Sequence, residues 1–243
     1  MKLPGPGPKH ASMVWLEPGR VHAGGRFHPC SETPGPDELA RILGGLPMEP
    51  THWVADDAWV PTLLLHDIVE LPKGPEERDS FFRWRYSQDL RLDGHQFVQA
   101  LPLEEGAWLL SGMPQALRDG WVQAAAAAGR PMRRLVPRWL WLYNRLAPGR
   151  EKPGMLLSLG QAPGGGHTGT LAAWGRNLLL LRQWADPAPA PVWNQERVLP
   201  TIAYLQRDAR SPQELKVWGA DFWPDCGLPA HLLQPEIPTQ EPL

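Results

Sequence analysis

Residues Thr51–Leu90, THWVADDAWVPTLLLHDIVELPKGPEERDSFFRWRYSQDL, decide the fold class. His52–Ala55 and Thr62–His66 are apolar runs of strand length, Asp56-Asp57 is the turn signal between them, and Leu71-Pro72-Lys73-Gly74 stops the second. A helix is predicted to follow. Pro75 suits the first helical position, and Glu76, Glu77 and Asp79 put carboxylates at the positive end of the helix dipole. Phe82, Tyr86 and Leu90 recur at helical spacing, and Phe81 and Trp84 widen that apolar face, so the face is expected to be buried. A strand pair feeding such a helix is half of a mixed sheet-and-helix layer, which makes the class α/β.

Towards the N-terminus, Met13–Leu16 and Arg20–Phe27 flank Glu17-Pro18-Gly19 and read as a hairpin, followed by a short helix with Leu39, Ile42, Leu43 and Leu46 on one side. Towards the C-terminus, Gln96–Leu101 and Ala107–Ser111 read as two strands. The strongest helical pattern runs from Pro114 to Gly129, with Leu117, Trp121, Ala124, Ala125 and Ala128 facing inward; alanine at this density suits close packing on a sheet. Arg133–Val136 reads as a strand and Arg138–Leu146 as a helix, and composition shifts at Ala147–Pro153. Beyond it Met155–Leu159 and Thr168–Trp174 repeat the first hairpin around a glycine-rich turn. Asn177–Trp184 is a further strand, Val198, Ile202 and Leu205 share a helical face kinked or delayed by Pro200, and Leu215–Gly219 is a last strand. Residues 1–10 and the proline-rich segment 228–243 read as tails.

Composition excludes several classes. With 243 residues the chain can bury a real core, and 24 basic against 26 acidic residues give a net charge of −2, which does not point to nucleic acid. Two cysteines far apart, Cys30 and Cys226, supply neither a disulfide framework nor a zinc motif, and a reducing cytosol fits them best. No apolar run reaches the roughly 20 residues of a membrane span. The 29 prolines and 13 tryptophans predict many short, rigidly connected elements.

Motifs with chemistry are sparse. Glycine turns follow or bridge strands at Gly19, at Gly160 with Gly164–Gly166, and at Gly219, where backbone N–H groups could approach phosphate; hairpin turns are the plainer reading, and no P-loop or dinucleotide fingerprint is present. His52, His66 and His95 could meet Asp56, Asp57 or Asp67, yet no metal-binding spacing links them. Ser111 and Ser158 lack a nucleophile elbow. From 130 to 150 the chain holds Arg130, Arg133, Arg134, Arg138, Arg145 and Arg150 with no acidic residue, interleaved with Trp139, Trp141 and Tyr143. Such a stretch faces a partner, an anionic surface or RNA, or else is core with arginines reaching outward.

Leu71-Pro72, Glu76-Glu77, Arg83-Trp84-Arg85, the run from Asp93 to Phe97-Val98-Gln99-Ala100-Leu101, Trp108-Leu109-Leu110, and a helix ending Ala126-Ala127-Ala128-Gly129 before Leu135-Val136-Pro137 form a succession. It resembles the actin-like pilus assembly ATPases of the PilM type and the cytoplasmic domain of the related type II secretion protein GspL. The likeness covers residues 50–147 well and the rest loosely. It implies a two-lobed actin-like (ribonuclease H-like) fold with mixed sheets: a first lobe over 11–147 with an inserted subdomain, and a shortened second lobe over 148–227. It also implies a cytoplasmic protein at the inner face of the inner membrane, peripheral to it. Such a protein binds the cytosolic tail of a bitopic PilN-type membrane protein and, beside it, the assembly motor ATPase, but no nucleic acid.

The family's nucleotide turns map here with departures. Its first Asp-x-Gly hairpin corresponds to Glu17-Pro18-Gly19. Its second corresponds to Ser158-Leu159-Gly160, with serine in place of the acid, and its adenosine-side glycines correspond to Gly219 after Trp218. The resemblance thus implies an ATP and magnesium site around Glu17, Gly19, Ser158, Gly160, Thr168 and Gly219 that is weakened or lost, and a scaffold without catalytic or metal residues. Two alternatives stay open: a working ATP-binding enzyme of the same superfamily, and an RNA- or membrane-surface-binding module using Arg130, Arg133, Arg134 and Arg138.

Overall fold

The computed structural model describes residues 12–66, 68, 70–146, 152–186, 194–207, 210–219 and 226–233. The predicted tail at 1–10 and the Ala147–Arg150 part of the composition shift lie outside them. The described residues form two units, dividing between Pro137 and Arg138.

In the first unit, β1 (Ser12–Glu17), β2 (Arg20–Ala23) and β3 (Arg26–Pro29) form an antiparallel meander. The run Arg20–Phe27, expected as one returning strand, breaks at Gly24-Gly25, where φ values of 58° and 76° make a second tight turn. Helix α1 (Pro36–Leu43) starts on proline and buries Leu39, Ile42 and Leu43, and it precedes β4 (Thr51–Ala55), which pairs in parallel with β1. Strand β8 (Met132–Pro137) adds in parallel to β4, giving the order β3-β2-β1-β4-β8. Met13–Leu16 and Trp53–Ala55 are buried on consecutive residues, because both faces of the central strands are covered and no polar alternation is needed. Trp53, Trp59 and Trp121 meet in this core, the last two edge to face at 5.5 Å.

Between β4 and β8 lies an inserted subdomain. Strands β5 (Thr62–Leu65), β6 (Gln96–Pro102) and β7 (Trp108–Pro114) form an antiparallel sheet in the order β5-β7-β6, on which α2 (Pro75–Leu90) packs Phe82 and Tyr86 against Leu65 and Leu110. Helix α3 (Gln115–Ala127) then returns to the first sheet and is closed by Gly129 at φ 70°. Two expectations change here. The runs expected to pair with each other, β4 and β5, lie in different sheets, because β1 and β8 occupy both edges of β4. Trp84, expected in the buried face, is 56% exposed: it sits on the far side of α2 from Phe82 and Tyr86, and a sheet of three strands covers only one side of the helix.

The second unit begins with α4 (Arg138–Leu146), so the division falls earlier than the expected 147/148. Trp139, Leu142 and Tyr143 are buried, and α4 packs on β9 and β10, which commits it to this unit. Strands β9 (Gly154–Gln161), β10 (His167–Trp174) and β11 (Leu178–Asp186) form a second meander. A π-type turn at Asn194–Val198 runs into α5 (Leu199–Arg207) around Pro200, the irregular start the proline predicted. Val198, Ile202 and Leu205 pack on Met155, Leu157, Leu171 and Ala173. Strand β12 (Leu215–Trp218) pairs in parallel with β9, and β13 (Ala230–Leu233) with β12. The segment from Leu228, expected as a structureless tail, therefore contributes an edge strand of four residues between Pro229 and Pro235. The order β11-β10-β9-β12-β13 repeats the first sheet strand for strand. The last connection is short: 219–229 joins β12 to β13, whereas 56–131, with the whole insertion, joins β4 to β8.

Tyr86 ties the insertion together, since its hydroxyl donates to the carbonyls of Pro61 at 2.7 Å and Gly112 at 2.9 Å, and a Cβ on Gly112 would meet its ring at 2.9 Å. Tyr86→Phe is expected to lower stability by about 1–3 kcal/mol, read from urea denaturation, because it removes the hydroxyl that these two carbonyls share.

Candidate functional site

Strands β1 and β4 run in parallel to a common end, with Leu16 level with Ala55. Chain leaving this end faces ligands in open α/β sheets. Glu17 and the Pro18-Gly19 turn emerge there, with Gly19 at φ 78°. The Glu17 carboxylate accepts from Arg20 Nε across the turn and from Trp15 Nε1 at 3.4 Å, so a cation and an indole already engage it. Asp56 and Asp57 leave β4 at the same end and are buried. The Asp56 N–H donates to Leu16 O at 2.9 Å, and its Oδ1 accepts from Ala58 N–H at 2.9 Å. The pair is therefore more than the turn signal its sequence suggests. A doubled acid directly after the apolar run Trp53-Val54-Ala55 is the signal that it places carboxylates at the end of the parallel pair. His52 is buried in β4, His66 and His95 are exposed, and Asp67 lies outside the described residues. Among the described residues no group of three metal-ligating side chains forms.

Four predicted residues of the second unit do come together. Thr168 lies level with Gly160 and Thr170 with Ser158 across β9 and β10, Trp218 is level with Ser158 across β9 and β12, and Gly219 follows. Gly219 stands at φ 80°, and a Cβ there would lie 2.3 Å from the carbonyl oxygen of Leu159, so no side chain fits between these backbones. Ser158 is fully buried and its Oγ accepts from Arg138 Nε at 3.0 Å. Thr168 Oγ1 is buried with no hydrogen-bond partner among the described residues. Gly164, Gly165 and Gly166 have φ of 84°, 85° and 99°, three left-handed values in a row rather than the alternation that aims successive N–H groups at an anion. That turn is a hairpin connection. Thus the position within β9 that the resemblance matches to the second acid carries a hydroxyl held by a guanidinium, where magnesium coordination calls for a carboxylate.

The arginine stretch does not form one face. Arg130 is buried and donates to the carbonyls of Leu46, Ala128 and Gly44, the last at 3.1 Å, fastening the end of α1. Arg138 is buried beside Ser158. Arg133 is exposed on β8, Arg134 is half-buried, and Arg145 lies over the Trp141 ring at 5.2 Å. An outward surface built on Arg130, Arg133, Arg134 and Arg138 is therefore corrected: a strand sends neighbouring side chains to opposite faces, and two of the four satisfy buried acceptors.

Gly219→Ala is expected to destabilise by more than the roughly 1–3 kcal/mol of left-handed strain, since it also forces backbone apart; Gly19→Ala, with open space around it, should cost only that strain. Chemical denaturation of both variants checks the difference. His22 on β2, buried against Phe27, has its pKa lowered by burial and then by His28, with Glu17 opposing. Below about pH 6.5 the unfolded chain takes up a proton that the folded chain resists, so this contribution to stability is lost as pH falls. Melting temperatures at pH 7 and pH 5 should differ less for His22→Gln than for the unsubstituted protein.

No protein-family model and no curated protein matches this sequence. Solved structures do match. A chain of the PilM–PilN type IV pilus biogenesis complex superposes with a TM-score of 0.61 at 13% identity, covering 94% of this chain and 89% of that one. The cytoplasmic domain of EpsL, an inner membrane component of the type II secretion system of Vibrio cholerae, superposes with a TM-score of 0.51 at 12% identity, covering 93% and 85%. The resemblance read from residues 50–147 is thus a likeness of fold over nearly the whole chain, and the protein has the actin-like α/β fold of these two proteins.

Proposed function

We propose that this chain is a cytosolic, actin-like scaffold of the inner-membrane platform of a type IV pilus or type II secretion machine. In this role it binds the cytosolic tail of a bitopic PilN-type partner at the inner face of the membrane and does not hydrolyse ATP. The observation that carries the reading is the fold likeness over more than nine-tenths of the chain to a chain of the PilM–PilN complex and to the cytoplasmic domain of a secretion-system component. Among the described residues no helix is long and apolar enough to cross a membrane. The loss of hydrolysis is supported by Ser158, whose hydroxyl engages Arg138. A buried positive charge beside the position of the second acid opposes a divalent cation by Coulomb repulsion.

A second reading, nucleotide binding, is favoured by one observation: Glu17, Asp56 and Asp57 gather at the end of the first parallel strand pair. Titration separates the two. A synthetic peptide of the cytosolic head of a single-span protein encoded beside this one is expected to bind saturably by fluorescence anisotropy, and a scrambled peptide is not. Millimolar ATP with magnesium is expected to leave the melting temperature unchanged. Stabilisation near the roughly 2.7 kcal/mol that a ligand at a hundred times its Kd produces would reject the scaffold-only reading.

A further inference from the structure

Helix α2 presents its second face to solvent. Trp84, two residues from each of the buried Phe82 and Tyr86, leaves the helix on the opposite side and is 56% exposed, with the half-buried Phe81 ring 6.2 Å away. Tryptophan in the open on a helix is costly to solvate and is the residue most enriched where binding energy concentrates. Glu77, Trp84 and Gln88 follow one another at helical spacing along this stripe, Arg91 stands at the cap just past its end, and all four are exposed. Glu77 and Arg91 lie equally far from Trp84, each two turns away on opposite sides. The stripe is therefore acidic at one end, basic at the other and aromatic at its centre, a pattern complementary to itself when turned end for end.

The backbone adds a second observation. Arg91 closes α2 at φ 52° and ψ 46°, in the left-handed region, where glycine is unstrained and a long side chain is not; at the end of α3 the left-handed position is taken by Gly129. Position 91 carries a long side chain despite this local preference, and it stands at the basic end of the stripe.

We propose that α2 is a self-association surface on which a second copy of this chain docks antiparallel about a twofold axis at Trp84. The two indoles stack, and each Glu77 pairs with Arg91 of the other copy. Antiparallel docking also opposes the two helix dipoles. A lipid surface fits less well, since the exposed Glu76, Glu77 and Asp79 on the first turns would be pressed against anionic headgroups. One helix pair falls at the small end of specific interfaces, below roughly 1,200 Å², so the dimer is weak and reversible. This inference does not rest on the platform reading.

Sedimentation equilibrium of the full chain, from micromolar to hundreds of micromolar, tests it. A concentration-dependent dimer is expected, weakened by about tenfold or more in Trp84→Ala, Glu77→Arg and Arg91→Glu. The double substitution Glu77→Arg/Arg91→Glu, which reverses the pair, should return the dissociation constant close to that of the unsubstituted protein. All three positions are exposed, so far-UV circular dichroism should be unchanged. A monomer at every concentration overturns the proposal, as does a double variant no tighter than the single ones. A monomer that co-sediments with phosphatidylglycerol vesicles through Trp84 also overturns it, assigning the face to a membrane surface instead.

Discussion

One strand in each unit is hydrogen-bonded in both senses, and the rest of the architecture follows from it. β1 is antiparallel to β2 and parallel to β4; β9 is antiparallel to β10 and parallel to β12. The antiparallel side is reached by a tight turn, whereas the parallel side requires the chain to cross over the sheet, and α1 and α5 lie on those crossovers with apolar stripes packed inward. The geometry leaves the turn after the first strand and the residues after its parallel neighbour at one end. Polar groups collect there because these are the places where the backbone leaves a covered core.

Much of this was legible in sequence. Apolar runs such as Met13–Leu16 and Met155–Leu159 reported buried central strands, and Leu39, Ile42 and Leu43 or Val198, Ile202 and Leu205 reported the packed side of a helix. Pairing was less legible. Nothing local distinguishes β4, which lies between two parallel neighbours, from β5, the edge of another sheet, since partners are chosen by distant chain. Trp84 was misjudged because helical periodicity reports what a helix can bury, while the width of the opposing sheet decides what it does bury. Ala230–Leu233 was hidden by prolines on either side.

The site was legible as letters rather than as places. The serine at 158 and the lone glycine at 219 are visible in the sequence, but their adjacency comes from the registers of β9 with β10 and β12, and the need for glycine at 219 comes from the Leu159 carbonyl. Arg130 and Arg138 looked like parts of a charged surface because charge in sequence carries no sign of burial. Each instead meets oxygen atoms inside the protein, the carbonyls around the end of α1 in one case and the Ser158 hydroxyl in the other. A guanidinium with five donors suits that task better than an ammonium.

The unequal connections bear on how the chain is made. β4 and β8 are neighbours separated by 76 residues, 56–131, against 11, 219–229, between β12 and β13. Bringing the ends of the longer stretch together costs about 2 kcal/mol more chain entropy, and β8 leaves the ribosome only after the whole insertion. The insertion has its own core around Leu65, Phe82, Tyr86 and Leu110, so it can be finished while β4 still exposes a bare parallel edge. A nascent polypeptide paused at that point offers unpaired backbone to its neighbours, and this interval in synthesis is when a chaperone has most to protect.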